Sequence, residues 1–364
     1  MALKIGMVGY RGIAKSHTPG YKDNPLGQLV AVADVVPSRA DEAAKELGVK
    51  PYASLKDMLD AHGDLDIIDV CTGGMENGSW HYEPAMEAMA AGKHVLVEKP
   101  ISNDIKEARE MVAFAARQNV YLGCNLNHYF TPPAEQAKKL IDEDKIGQVG
   151  YCLHKMGFNG GDFTYARDRG PKVDGHPYFH MKAFLTHPFS VMRYFCGDIT
   201  HVQCFAERPG CRRTAGDVML SINGIHVRFA NGAIGYLLSQ RGDMSFGLGG
   251  WWSVEVAGTK GTFCIENCIE KMTYWPAPQP NMPAPTPEVS NSGISDFGQT
   301  FPRRIQAFME DVTAGVPKES LRASGRDALA VLEYTWAAIE SYEQGGAMVR
   351  PQPLPLLKGD PRVM

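Results

Sequence analysis

The chain lacks several features that would assign it by class. No stretch of its 364 residues approaches the ~18–20 consecutive apolar residues that a membrane span needs. Lysine and arginine form no run and the formal net charge is −4, so the basic footprint of a nucleic-acid binder is missing. Met1–Gly6 enters a strand pattern at once, without a basic segment leading into an apolar one, and the expectation is a cytoplasmic protein. The eight cysteines, at 71, 124, 152, 196, 204, 211, 264 and 268, form no C-x-x-C pair. Reduced thiols are therefore expected, rather than a disulfide framework or a zinc site. No internal repeat is present.

What remains is an ordinary globular composition, 44% hydrophobic and 21% charged, on a chain long enough for two domains. Up to about Cys124, short apolar runs alternate with helical patterns. Strands are expected at Leu3–Val8, Leu29–Asp34, Asp66–Cys71, His94–Val97 and Val120–Cys124. Helices are expected at Gly12–Tyr21, Ser38–Leu47, Tyr82–Ala91 and from about Ser102. This alternation predicts a doubly wound parallel sheet over residues 1–124.

From residue 125 to 364 the pattern changes to longer β-type segments. They are His201–Ala206, Asp217–Ile222, His226–Phe229, Ala233–Ser239, Ser253–Ala257 and Thr262–Glu266, with Asn231-Gly232 as a turn signal. A mostly antiparallel or mixed sheet fits, interrupted by a helix over about Lys182–Phe195. Residues 276–287 hold six prolines and read as a surface loop. Two helices close the chain, and the second opens on Ser324–Asp327 at capping-box spacing. These terminal helices are allowed to pack back on the first domain.

Two motifs carry chemistry. The first strand runs into Gly9-Tyr10-Arg11-Gly12-Ile13-Ala14, close to the dinucleotide fingerprint G-x-G-x-x-G/A. Gly9 makes the turn and Ala14 allows close packing, but Arg11 replaces the middle glycine. Its side chain either crowds the phosphates or swings out to clamp them. Asp34 ends the second strand, where a carboxylate binds ribose hydroxyls and favours NAD. Arg39 lies near enough in sequence to keep NADP open. The second motif is Glu98-Lys99-Pro100 at a strand end. A lysine there can lower the pKa of a substrate hydroxyl and hold the developing alkoxide. A cis peptide before Pro100 is a further expectation.

Together these residues resemble the Gfo/Idh/MocA oxidoreductases. The resemblance rests on Gly9–Ala14, on Asp34, and on Ala90–Pro100, which is similar to the family's "aGkhVlvEKP". It continues through Asn127, Phe130 and Pro132, then Asn231–Gly235, Gly258–Thr262 and Ala323–Ala328. It implies a Rossmann domain followed by an α+β domain with a large open sheet. It also implies an NAD-dependent enzyme acting on a sugar, polyol or glycoside, and assembly as a homodimer or homotetramer. The cofactor residues implied are Gly9, Tyr10, Arg11, Gly12, Ile13, Asp34, Arg39, Thr72, Gly73, His81, Glu98, Lys99 and Asn127. The catalytic residues implied are Lys99 and His187, with Asn159, Lys182 and Trp251 beside them as substrate contacts. No metal is expected, although His176, His180 and His187 invite the question.

The family's D-x-x-x-H signature is broken, because Ala183 precedes His187 where an aspartate is expected. A histidine without its carboxylate loses basicity and orientation. Either Lys99 carries the proton chemistry, or Lys182, His180, His176 or Asp174 replaces the aspartate, or the protein binds without turnover. Residues 154–180 and Phe246–Trp252 read as substrate loops. The leading function is a dehydrogenase transferring hydride at a ring carbon. The alternatives are a glycoside-cleaving enzyme that recycles bound NAD and a non-catalytic sugar or dinucleotide sensor.

Overall fold

The structure is a computed structural model that describes residues 2–74, 78–158, 176–208, 219–241, 252–294 and 296–355. The chain divides into two compact units. The first comprises Met1–Asn127, Gly298–Leu332 and Pro353–Met364, and the second His128–Phe297 and Glu333–Gln352.

The first unit is built on six parallel strands: β1 (Leu3–Val8), β2 (Gly27–Ala33), β3 (Lys50–Tyr52), β4 (Ile67–Val70), β5 (His94–Val97) and β6 (Leu122–Cys124). Their order, β3-β2-β1-β4-β5-β6, is that of a dinucleotide-binding sheet, with its switch point between β1 and β4. Helices α1 (Ile13–Tyr21), α2 (Pro37–Leu47), α3 (Leu55–Ala61), α4 (Tyr82–Ala90) and α5 (Ile105–Gln118) connect them. Asp104 caps α5 by accepting from the Lys106 and Glu107 amides, which moves its start three residues beyond the expected Ser102. The short β3 and α3 were not expected. β3 is an edge strand holding Pro51, and α3 is announced only by its Ser54 cap.

Helix α9 (Thr300–Ala314) belongs to the first unit's core. Ile305, Phe308 and Met309 pack with Ile5, Met7 and Tyr21, and Gly20 admits Ile305 where a Cβ would stand 2.9 Å from it. Arg304, wholly buried, donates to the carbonyls of Cys124 and Ala323.

The second unit carries an eight-stranded sheet in the order β14-β13-β12-β11-β7-β10-β9-β8. Its strands are β7 (Val149–Phe158), β8 (Ile199–Glu207), β9 (Ile222–Phe229), β10 (Ile234–Arg241), β11 (Trp252–Gly258), β12 (Gly261–Glu266), β13 (Lys271–Pro276) and β14 (Glu288–Asn291). All pairs are antiparallel except β7 with β10, so the sheet is mostly antiparallel as expected. The expected strand Asp217–Ile222 contributes only Ile222, since Met219–Ser221 are irregular and the rest lies outside the described residues. Helix α6 (Pro132–Asp142) opens the unit.

The expected helix Lys182–Phe195 is two helices, α7 (Phe179–Phe184) and α8 (Thr186–Cys196). Pro188 has no N–H for the carbonyl of Phe184, which accounts for the break. The last helix, α10 (Gly325–Glu343), opens on Ser324, whose Oγ accepts from Asp327 N while Asp327 Oδ2 accepts from Ser324 N, a reciprocal cap. Among the described residues no helix is long and apolar enough to cross a membrane, and seven cysteines are free.

Candidate functional site

In the first unit, Gly9 turns the chain out of β1 at φ 86°. A Cβ there would stand 3.1 Å from the Thr72 amide nitrogen, so glycine is required where the ends of β1 and β4 meet. Gly12, at φ 43° and ψ −95°, precedes α1 with no side-chain cap and no acid in the first turn. No atom lies within 4 Å of the Cβ it lacks. The helix thus turns its positive end to open space at Gly12, as a pyrophosphate requires. Arg11 is exposed at this turn and Ile13 half-buried.

Asp34 is nearly buried. Its Oδ2 accepts from the Tyr10 amide and its Oδ1 from the Val36 amide, both at 2.8 Å, and Arg39 Nη1 stands 3.8 Å from Oδ1. Each carboxylate oxygen keeps a lone pair for a ribose hydroxyl. The Tyr10 ring is buried and its hydroxyl donates to Glu46 at 2.7 Å. Burial and Glu46 push that hydroxyl up to about 12, so it stays protonated. These residues fit a dinucleotide.

At the ends of β4 and β5, buried His81 places Nε2 2.7 Å from the Thr72 carbonyl and Nδ1 2.7 Å from the Pro100 carbonyl. Burial lowers its pKa. The Thr72 hydroxyl donates to the Trp80 carbonyl, and Gly73 is exposed. Asn127 donates to Thr300 Oγ1 at 2.6 Å. The Lys99–Pro100 bond is cis. Glu98 is buried, and its Oε2 accepts the Lys99 amide at 3.0 Å.

In the second unit, His187 on α8 stacks on His128 with centroids 4.0 Å apart. Trp252 lies 4.3 Å and Phe297 4.9 Å from the same His128 ring. The indole of Trp252 donates to the Gly157 carbonyl at 2.8 Å, which fixes the stack to β7. Lys182 holds its ammonium 5.0 Å over the Trp336 ring, and His180 Nε2 is 2.9 Å from Ser239 Oγ. Asn159 and Trp251 lie outside the described residues, as does most of both expected substrate loops.

A family model described as "Oxidoreductase family, NAD-binding Rossmann fold" matches residues 3–126, and one for the GFO/IDH/MocA C-terminal domain matches residues 134–264. The chain belongs to the Gfo/Idh/MocA oxidoreductases. Its cofactor is NAD. Among the relatives of this Gfo/Idh/MocA protein is a levoglucosan dehydrogenase of Pseudarthrobacter phenanthrenivorans, 24% identical over 71% of this chain and 72% of that one. Another is the myo-inositol 2-dehydrogenase of Thermotoga maritima, 24% identical over 94% and 97%. A levoglucosan dehydrogenase solved with NADH and levoglucosan shares the fold, with a TM-score of 0.82 at 20% identity, covering 97% of this chain and all (100%) of that one.

Ala183, where the sequence of this family member departs from the expected aspartate, packs in an apolar cluster with Phe179, Phe184 and Met219. It sits on α7 and His187 on α8, so the two residues do not share one regular helix. Of a second group, sequence reasoning named Glu98 as a cofactor residue and missed the cluster around it. His17, Asp69, Glu98 and Asn125 meet in the interior of the first unit, with Tyr21 and Cys71. The donor atoms of His17, Asp69 and Cys71 lie within 4.8 Å of one another, and hydrogen bonds already engage them. The available signal was Asp69, a carboxylate in the middle of the apolar run Asp66–Cys71.

Proposed function

We propose that the chain is an NAD-dependent dehydrogenase that oxidises a ring CH–OH of a sugar, cyclitol or glycoside, with Lys99 handling the hydroxyl. The position of Lys99 carries the reading. It follows Glu98 at the carboxyl end of β5 in the NAD-binding unit, on the strand edge where ligands of such sheets bind. Two relatives carry names for dehydrogenases of levoglucosan and myo-inositol, both polyhydroxylated rings, which supports the substrate class.

NAD, when bound, accepts the hydride. Gly12 and the first turn of α1 hold its phosphates and Asp34 its ribose hydroxyls. Lys99, as the free amine, takes the hydroxyl proton as the hydride leaves the carbinol carbon, and the ammonium so formed stabilises the negative charge developing on the oxygen. His187 serves as a hydrogen-bond partner of the substrate. With Ala183 in place of a carboxylate, proton transfer falls to Lys99.

The partner we propose for the second unit is another copy of the chain. One face of its sheet presents Tyr151, Leu153, Ile234 and Tyr236 side by side on β7 and β10, with Phe205 beyond them on β8 and exposed His226 and Arg228 on β9 between, the five apolar side chains being 37% to 60% exposed. An exposed apolar patch of this kind is the usual signature of an assembly surface. The free thiols fit a cytoplasmic setting.

The test mixes purified protein with NAD or NADP and a panel of aldoses, inositols, sugar acids and glycosides, and follows nicotinamide absorbance. Turnover of one class is expected, with Lys99→Ala losing on the order of 10²–10⁴-fold in kcat. A flat trace over the whole panel overturns the reading. Product analysis of the glycoside samples then separates bond cleavage with recycled NAD from a sensor.

A further inference from the structure

Beneath the Glu98–Lys99 turn lies a chain of buried polar groups that the reaction does not use. His17 is wholly buried on α1. Its Nδ1 stands 2.9 Å from Asp69 Oδ2 and its Nε2 2.9 Å from Glu98 Oε1. A neutral imidazole has one N–H, so it can satisfy one of these carboxylates and turns a lone pair on the other. An imidazolium donates to both.

The surroundings supply acceptors and donors for both carboxylates, and the Asn125 amide nitrogen also stands 3.1 Å from His17 Nε2, where a protonated ring turns a donor toward a donor. Tyr21 adds its hydroxyl to Asp69 Oδ2 at 2.8 Å, and Asn125 adds its amide to Glu98 Oε1. The Cys71 thiol, 3.4 Å from Nδ1, is pushed up to about 12 by burial and stays neutral. Lys99 and Arg304 are the remaining charges that bear on the group. Burial, the largest single influence, pulls the His17 pKa down, and Asp69 and Cys71 together raise it well above the ordinary range. The other oxygen of Glu98 takes the main-chain N–H of Lys99 at 3.0 Å.

Buried ions cost several kcal/mol each unless paired, and an apolar filling serves packing as well or better. The rest of β4 is apolar, Ile67, Ile68 and Val70. Within β4 the one charge is Asp69, and through His17 it connects to Glu98 at the turn that bears Lys99.

We propose that His17 is a positioning residue for Lys99: its imidazolium holds Glu98 ionised and in place, and Glu98 fixes the backbone from which the Lys99 side chain departs. This rests on the reading of Lys99 as the group that handles the hydroxyl. His17 itself touches no reacting atom.

The test uses the full chain with NAD and three variants, His17→Gln, Glu98→Gln and the double variant. In His17→Gln, kcat is expected to fall on the order of 10²-fold, while KM and the Kd for NAD stay within about threefold. In the Glu98→Gln background the same substitution is expected to cost little more, because both changes remove one connected unit. The limb of the kcat–pH profile that Lys99→Ala removes is expected to move in His17→Gln. Histidine-specific 15N NMR, assigned by loss of a signal in His17→Gln, is expected to show both His17 nitrogens protonated at pH 7.

A neutral His17, an unchanged kcat, or an equal loss with and without Glu98 overturns the inference. Should His17→Gln fail to fold, Asp69→Asn keeps the shape, weakens the imidazolium and is expected to lower kcat in the same direction. Wild-type kcat in Lys99→Ala overturns the Lys99 reading instead. An inactive Lys99→Ala beside a fully active His17→Gln overturns only the role of His17.

Discussion

Two of the buried histidines, His17 in the first unit and His154 in the second, behave in opposite ways. His17 in the first unit lies between two carboxylates and is held charged. His154 in the second faces a small cavity lined by Val191, Phe195, Trp252, Val254 and Ile265, and burial pulls it down to about 4. Burial is common to both. What each ring meets explains the difference: two carboxylates for His17, mostly apolar side chains for His154, and only main-chain carbonyls for His81, whose pKa burial also lowers. In the parallel sheet both faces are covered and β4 is buried at every position, so a carboxylate placed there must find partners inside. In the open sheet a strand such as β12 alternates buried and half-buried positions, and polar groups have an outward side to occupy. A polar residue in the first sheet therefore implies a network, whereas an apolar residue outside the second implies a surface to be covered.

The comparison is most directly broken at Asp69. Asp69→Ala leaves the His17 imidazolium short of one carboxylate and the Tyr21 hydroxyl without its acceptor, and is expected to cost about 3–5 kcal/mol in chemical denaturation. The same network gives a pH window. The raised His17 pKa contributes fully below its ordinary value of 6.5 and is lost as pH rises through the folded value. The lowered Glu98 pKa contributes fully above its ordinary 4.5 and is lost as pH falls through the folded value. Both contributions are complete between those two values.

His154 has the opposite sign. It stays neutral in the fold down to about 4 but takes a proton at about 6.5 when unfolded. Its contribution is present above 6.5 and declines toward pH 4, by up to roughly 3 kcal/mol. His154→Leu is expected to flatten that part of the stability–pH curve while changing stability at pH 8 by less than about 1.5 kcal/mol. An unchanged slope would remove His154 as its source. The smallest effect on folding is expected on the outer face. Ile234→Lys should leave stability within about 0.5 kcal/mol, yet light scattering should show the assembly dissociated.

How much of this was legible depended on range. β1 and β5 have the bounds that the sequence predicts, since both are short apolar runs closed by a glycine or by Glu98. Gly9, Gly12 and Asp34 could be read because strand, turn and helix follow one another locally. The His17 cluster could not. His17 meets Asp69 across 52 residues and Glu98 across 81, and only the sheet brings them together. The stack of His128, His187 and Trp252 is non-local for the same reason. The split of α7 from α8 was legible in Pro188, but apolar periodicity concealed it.

The interruption of the first unit has a consequence for synthesis. Residues 128–297 belong to the other unit, yet α9, which completes the first core with Ile305, Phe308 and Met309, lies beyond them. On a ribosome the six parallel strands emerge first and wait, with the groove beside α1 unfilled, until the whole intervening segment has been made. A message truncated ahead of Thr300 yields an open first unit however much of the second it encodes.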